Sequence, residues 1–232
     1  MHQTYYFVLW YSIRLDFIGL IMRTRVKICG FTRVKDAVVA ANLGVDAIGL
    51  VFYAPSPRNV SIDRAIEIVN ALPAFVTVVA LFVDEKATKI QEVLNKVSID
   101  CLQFHGSESA DDCRIYNKPY MKAIRMKPDV DINTIEKQYN DASALLLDAY
   151  HPGIQGGSGS QFDWDLIPSD CCLPVVLAGG LQVDNAKQAV ETVKPYALDV
   201  SSGVESSKGI KDAAKMAAFI QAIKEGDRKN HV

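Results

Sequence analysis

The feature that most constrains this chain is an alternation running from Arg25 to Ile223. A short apolar run, a polar turn and a stretch with helical spacing follow one another eight times. The apolar runs are Arg25–Cys29, Ala47–Phe52, Val76–Val83, Cys101–Phe104, Tyr120–Ile124, Ala144–Asp148, Val175–Ala178 and Ala197–Val200. The helical stretches that follow them are Val34–Leu43, Ile62–Leu72, Ala87–Lys96, Ser109–Asn117, Ile132–Tyr139, Asp163–Ile167, Val183–Thr192 and Ile210–Ile223. Runs this short and this apolar predict strands buried on both faces, the environment of a parallel sheet covered by helices. Eight such units in 232 residues predict a closed (β/α)8 TIM barrel in a single domain rather than an open doubly wound sheet.

The barrel is expected over residues 23–225, with a tail over 226–232. Residues 1–22 do not share the alternation. Tyr5 to Met22 is mostly apolar, but Arg14 and Asp16 break it, so it is too short and too charged to span a membrane. It also lacks the basic start and small-residue cleavage site of a signal peptide. Two readings stay open: an upstream extension of the gene product outside the barrel, or an amphipathic extra helix.

Composition removes several function classes. A formal net charge of −2 argues against a nucleic-acid surface. Five cysteines, Cys29, Cys101, Cys113, Cys171 and Cys172, are an odd count without a C-x-x-C pair, and the four histidines are scattered. Neither a metal site nor a disulfide framework is expected, and a cytoplasmic location fits best.

Active sites of such barrels lie at the C-terminal strand ends. Read in order, those ends give Cys29-Gly30, Tyr53 to Arg58, Asp84, His105-Gly106, Arg125, Asp148, Gly179-Gly180 and Ser201-Ser202-Gly203. A ring of polar and glycine residues on top of apolar strands is hard to explain by packing. Cys29 ends the first strand, with Lys27 on the same face by alternation; it reads either as a reactive thiol or as a small buried hydrophobe. Asp148 ends an apolar strand and reads either as a general acid or as a loop-ordering carboxylate. Arg58, stiffened by Pro57, can hold a carboxylate in bidentate fashion or stand as a solvated surface residue. His105 is either a hydrogen-bonding wall of the pocket or a structural histidine. Asp199 either binds sugar hydroxyls or pairs with Lys27, since the eighth strand closes onto the first. Gly179-Gly180 and Ser202-Gly203, at the ends of the seventh and eighth strands, are suited to a phosphate group. The loop from His151 to Gln161, rich in glycine, reads as a mobile cover anchored by Phe162-Asp163-Trp164.

Taken together, Lys27-Ile28-Cys29-Gly30, Ser56-Pro57-Arg58, Gln103-Phe104-His105-Gly106, Leu147-Asp148, Phe162-Asp163-Trp164, Ala178-Gly179-Gly180-Leu181 and Asp199-Val200-Ser201-Ser202-Gly203-Val204-Glu205 resemble the phosphoribosylanthranilate isomerase family of tryptophan synthesis. The resemblance implies that Cys29 is the general base, Asp148 the general acid and Arg58 the residue that holds the anthranilate carboxylate. It implies that the seventh and eighth loops bind phosphate and that Asp199 lies near the ribose hydroxyls. The implied reaction is an Amadori rearrangement in which the anthranilate nitrogen is the electron sink. No metal and no organic cofactor is then required, and the partner is a phosphorylated small molecule, taken up by a monomer or homodimer with no membrane attachment. Lys27 is expected to depress the thiol's pKa. Two departures stand out. Gly156-Gly157 is followed by Ser158 where the family usually has threonine, and Asp84 stands where asparagine is common. Rival readings are another phosphate-binding barrel isomerase or lyase, a pyridoxal-phosphate barrel, and a non-enzymatic anion-binding module.

Overall fold

The computed structural model describes residues 23–149, 163–168 and 170–229. The reading of residues 1–22 as an extension and that of the cover loop from His151 to Gln161 lie outside the described residues. Eight parallel strands close in sequence order into a barrel. They are β1 (Arg25–Cys29), β2 (Ala47–Val51), β3 (Thr77–Phe82), β4 (Cys101–Phe104), β5 (Tyr120–Met126), β6 (Ala144–Ala149), β7 (Val175–Leu177) and β8 (Ala197–Val200). Pairing of β1 with both β2 and β8 makes the closure, and it sets Lys27 level with Asp199. The helices are α1 (Val34–Leu43), α2 (Ile62–Asn70), α3 (Ala87–Lys96), α4 (Ala110–Arg114), α5 (Ile132–Gln138), α6 (Val183–Val193) and α7 (Ala213–Lys229).

Strand alternation sorts the apolar residues into two cores. Ile28, Leu50, Phe82, Phe104, Leu145, Leu147 and Leu198 point outward and pack under the helices. Val79, Met121, Ala144, Leu146, Val176 and Ala197 point inward and fill the barrel floor. Each fully buried side chain of this size stabilises the fold by roughly 1.5–3 kcal/mol before the entropy of ordering is subtracted. Above the floor lies the Lys27–Asp199 pair, and above that Cys29 packs with Val51 and Leu81.

Two predicted helices differ. Asp163–Ile167 forms a single 3-10 turn over Trp164–Leu166, capped by the Asp163 carboxylate, which accepts from the Asp165 N–H at 3.1 Å. Ile210–Lys211 is not helical. It is β10, paired antiparallel with β9 (Glu205–Ser207), because the Lys211 ammonium is drawn inward to Glu205. The last helix starts at Ala213 and continues to Lys229, through residues expected to form a tail. Gly226 lies against Val190, where an added Cβ would sit 2.8 Å from the valine Cβ. The Asp227 carboxylate accepts from the Thr24 N–H at 3.0 Å and from its hydroxyl at 2.7 Å, tying α7 to the chain just before β1. No helix among the described residues is long and apolar enough to cross a membrane.

Candidate active site

The C-terminal rim encloses a cleft of about 790 Å³, counting the space open to solvent at its mouth. Cys29, Arg58, His105, Asp148, Gly179, Gly180, Asp199 and Ser202 all line it. Eight of the nine residues singled out in the sequence therefore converge on one cavity. The ninth, Gly203, stands behind the wall.

At the first strand the space is made by glycines. Gly49 is the β2 partner of Cys29, and a Cβ there would meet the thiol sulfur at 2.6 Å. Gly30, at φ +84°, turns the chain away, and a side chain on it would collide with Arg58. Gly49 escaped the sequence reading, since a glycine inside an apolar run signals only a close approach.

Lys27 Nζ lies 2.8 Å from Asp199 Oδ2, with both side chains buried. The pairing with Lys27 is one of the two sequence readings of Asp199; it uses Oδ2, while Oδ1 has no hydrogen-bond partner among the described residues. Burial works against the charge on Lys27, but Asp199 and Cys29 hold its ammonium above the usual value. The expected depression of the Cys29 pKa is not found. Burial pushes the thiol up, and the pull of Lys27 and Lys211 is opposed by Asp199. The physical reason is that Lys27 reaches the thiol as half of a nearly neutral pair.

Across the cavity, β6 presents Asp148 inward between the outward Leu147 and the strand end. Its Oδ2 lies 3.1 Å from Nε2 of His105, and Nδ1 of that ring lies 3.0 Å from the Gln103 amide nitrogen. His105 is thus a wall residue bonded to the candidate acid. Asp84, at φ +48°, takes a left-handed conformation that aspartate tolerates better than most residues. Its carboxylate accepts from the Ser107 N–H at 2.6 Å, so it orders the loop after β4.

Arg58 is held by a residue outside the candidate set. Its Nε and Nη2 donate to the two Glu205 oxygens, each at 2.8 Å, which leaves Nη1 outside that fork. Glu205 also accepts from Lys211 Nζ at 2.9 Å. The same ammonium donates to the Cys29 carbonyl at 2.6 Å and the Ser201 carbonyl at 3.1 Å. Burial raises the Glu205 carboxyl, but Arg58 and Lys211 together keep it below its usual value. Burial pushes Lys211 below its own usual value. Lys211 was read as part of a helix, so its inward position was invisible until β9 and β10 paired.

Loops seven and eight meet where phosphate binding was expected. Gly179 (φ +79°) and Gly180 (φ +67°) adopt a backbone that side chains disfavour. A Cβ on Gly179 would also lie 2.7 Å from Asp148 Oδ1. Asn185, in the first turn of α6, donates to the Gly180 carbonyl at 2.8 Å and accepts from the Gln182 N–H at 2.9 Å, fixing the loop's shape. Gly203 sits against the Leu181 carbonyl, where any side chain would collide. It lets loop eight close on loop seven, while Ser202 faces the cavity.

Residues 26–222 match the family model described as N-(5'phosphoribosyl)anthranilate (PRA) isomerase. An N-(5'-phosphoribosyl)anthranilate isomerase of Pseudomonas aeruginosa (strain UCBPP-PA14) is 58% identical over 200 residues, which is 86% of this chain and 95% of that one. The enzyme of that name from Nitrosococcus oceani is 56% identical, over 87% of this chain and 98% of that one. Among solved structures, the phosphoribosyl anthranilate isomerase of Thermotoga maritima is 38% identical with a TM-score of 0.80, over 87% of this chain and 98% of that chain. A further phosphoribosyl anthranilate isomerase, solved with reduced 1-(o-carboxyphenylamino)-1-deoxyribulose 5-phosphate, is 36% identical with a TM-score of 0.77 and the same coverage.

Proposed function

The chain belongs to the N-(5'-phosphoribosyl)anthranilate isomerase family, and from that premise we infer how its rim carries out the reaction. It converts N-(5-phosphoribosyl)anthranilate to 1-(2-carboxyphenylamino)-1-deoxyribulose 5-phosphate, an intramolecular Amadori rearrangement in L-tryptophan biosynthesis. The single observation that supports the assignment of roles is that Cys29 and Asp148 line one cavity, with Arg58 and the two glycine loops around it.

Asp148, carrying a proton, gives it to the furanose ring oxygen. The C–O bond breaks and the anthranilate nitrogen becomes a protonated imine. Cys29 as thiolate then takes the proton from the second sugar carbon, and that C–H electron pair flows toward nitrogen to give an enaminol. Tautomerisation yields the ketone. The ligand-free thiol is neutral at pH 7, because burial sets its pKa above the ordinary value. The imine cation formed by ring opening supplies the charge that favours loss of the thiol proton to solvent at the cleft mouth, so ring opening prepares the base for the second step. The substrate's own nitrogen serves as electron sink, and no metal or organic cofactor enters the reaction. Arg58, set by Glu205, faces the anthranilate carboxylate, and loops seven and eight hold the phosphate through Gly179, Gly180 and Ser202, with Gly203 letting the two loops close on each other. Asp199 Oδ1 accepts from a ribose hydroxyl.

Every residue in this scheme comes from one chain, so a monomer and a homodimer serve it equally. The scheme belongs in the reducing cytoplasm, where five free thiols persist. The test is to add pure protein, without cofactor, to the fluorescent substrate. Loss of the anthranilate fluorescence at an enzyme-dependent rate is expected, and a signal that decays only at the rate of the blank overturns the reading.

A further inference from the structure

The inner face of β4 carries a residue that the scheme above leaves unused. Gln103 is 1% exposed and sits two residues before His105 on the same strand face. Its Nε2 lies 3.0 Å from His105 Nδ1, and His105 Nε2 lies 3.1 Å from Asp148 Oδ2. With the amide in this orientation, which leaves Gln103 Oε1 without a hydrogen-bond partner among the described residues, the NH2 can only donate, so the Nδ1 that faces it accepts and carries no proton. The ring proton then sits on Nε2 and is donated to Asp148. The opposite tautomer would set an N–H against the amide donors and a bare nitrogen against a carboxylate oxygen. Turning the amide round would let Oε1 accept from a protonated Nδ1, with Nε2 facing Asp148 either as part of an imidazolium or as acceptor of the acid's own proton, and the ring nitrogen shifts tell these two states from the first.

We propose that Gln103 is a positioning residue: it selects the His105 tautomer that donates to Asp148 Oδ2, and so reserves Oδ1 for the proton passed to the substrate. Oδ1 is the oxygen beside Gly179, where the missing side chain leaves it uncovered; a Cβ there would lie 2.7 Å away. The chain of donors therefore fixes both the rotation of the carboxyl group and which of its oxygens does the chemistry. This rests on Asp148 being the acid, and the experiment separates the two claims.

The measurement is nitrogen-15 NMR of the His105 ring in ligand-free protein at mildly alkaline pH, assigned against His105→Asn. Nδ1 is expected to read as unprotonated and Nε2 as protonated. Gln103→Leu is expected to mix the tautomers and to lower kcat about tenfold or more, part of the roughly 10²–10⁴ that a positioned acid contributes, while KM changes little. In an Asp148→Asn background the same replacement should cost nothing further, since both act on one proton transfer. A native ring protonated on Nδ1 overturns the proposal. So does a Gln103→Leu enzyme with native tautomer and native kcat, or one that loses the same factor in the Asp148→Asn background. If Gln103→Leu does not fold, Gln103→Met takes its place and the native spectrum still decides the tautomer. Full turnover by Asp148→Asn with the expected native spectrum would remove the acid and, with it, the reason to reserve Oδ1. No turnover by native protein would instead strike the isomerase reading.

Discussion

At the scale of single residues the proposed scheme divides the reaction between a base, Cys29, and an acid, Asp148, that line one cavity. Cys29→Ser and Asp148→Asn are each expected to lower kcat by about 10²–10⁴ with little change in KM, because proton transfer is lost and the binding groups remain. Steady-state kinetics on the fluorescent substrate check this; a serine enzyme with near-native kcat would return Cys29 to the role of packed thiol. The raised thiol pKa also carries a sign. The ultraviolet absorbance of the Cys29 thiolate, read as native minus Cys29→Ser, should therefore appear only above the ordinary thiol pKa, and a step at or below that value would overturn the raised pKa. Arg58→Ala should show the converse pattern. Losing a charge-assisted contact of roughly 1.5–3 kcal/mol raises KM about 10- to 100-fold and touches kcat less.

The elements decide how those residues are held. Gly49 belongs to β2, yet its lack of a side chain is what gives the Cys29 sulfur its place. Gly49→Val should displace the thiol, destabilise the barrel by about 1–3 kcal/mol from overpacking, and reduce kcat; urea unfolding and kinetics read the two effects separately. The β9–β10 hairpin acts through Glu205, which joins Arg58 to Lys211. Glu205→Ala leaves a buried ammonium without its counter-charge, at a cost of roughly 3–5 kcal/mol. The Glu205 carboxyl titrates below its unfolded value, so its contribution is present above about pH 4.3 and is lost as pH falls through the depressed folded value. Denaturation of native and Glu205→Gln protein across that acidic window should show the native protein losing stability more steeply. Equal slopes would mean that Glu205 is not the coupled group.

For the whole molecule, closure is achieved within the described residues. β1 is paired on both edges, and Thr24 is fastened to Asp227 across the length of the chain. Removing residues 1–21 is therefore expected to leave kcat, KM and melting temperature unchanged. An insoluble truncated protein would show that this segment covers an apolar face of the barrel. Asp227→Ala should lower stability by about 1–2 kcal/mol, since three hydrogen bonds to Thr24 end on that one carboxylate.

The sequence by itself determined the eight strands and their order, because an apolar run buried on both faces has one partner architecture and period-two alternation says which side chains face in. It also determined the rim: Cys29, Asp148 and the glycine loops stand at strand ends and Arg58 in the loop after the second strand, and strand ends are legible from where an apolar run stops. Only the tertiary structure decided what those residues touch. The Lys27–Asp199 pair depends on β8 closing against β1, 172 residues apart in the chain. That closure turned Lys27 from an activating cation into half of an ion pair. Lys211 fitted a helical period, and its inward turn is set by Glu205 and the carbonyl of Cys29, which no local pattern encodes. Gln103 was read only as one letter of a motif, and its bond to His105 exists because a strand brings every second side chain to the same face. Local periodicity is written in neighbouring residues; electrostatic partnership is written in the distances between segments, and the barrel's closure sets those distances.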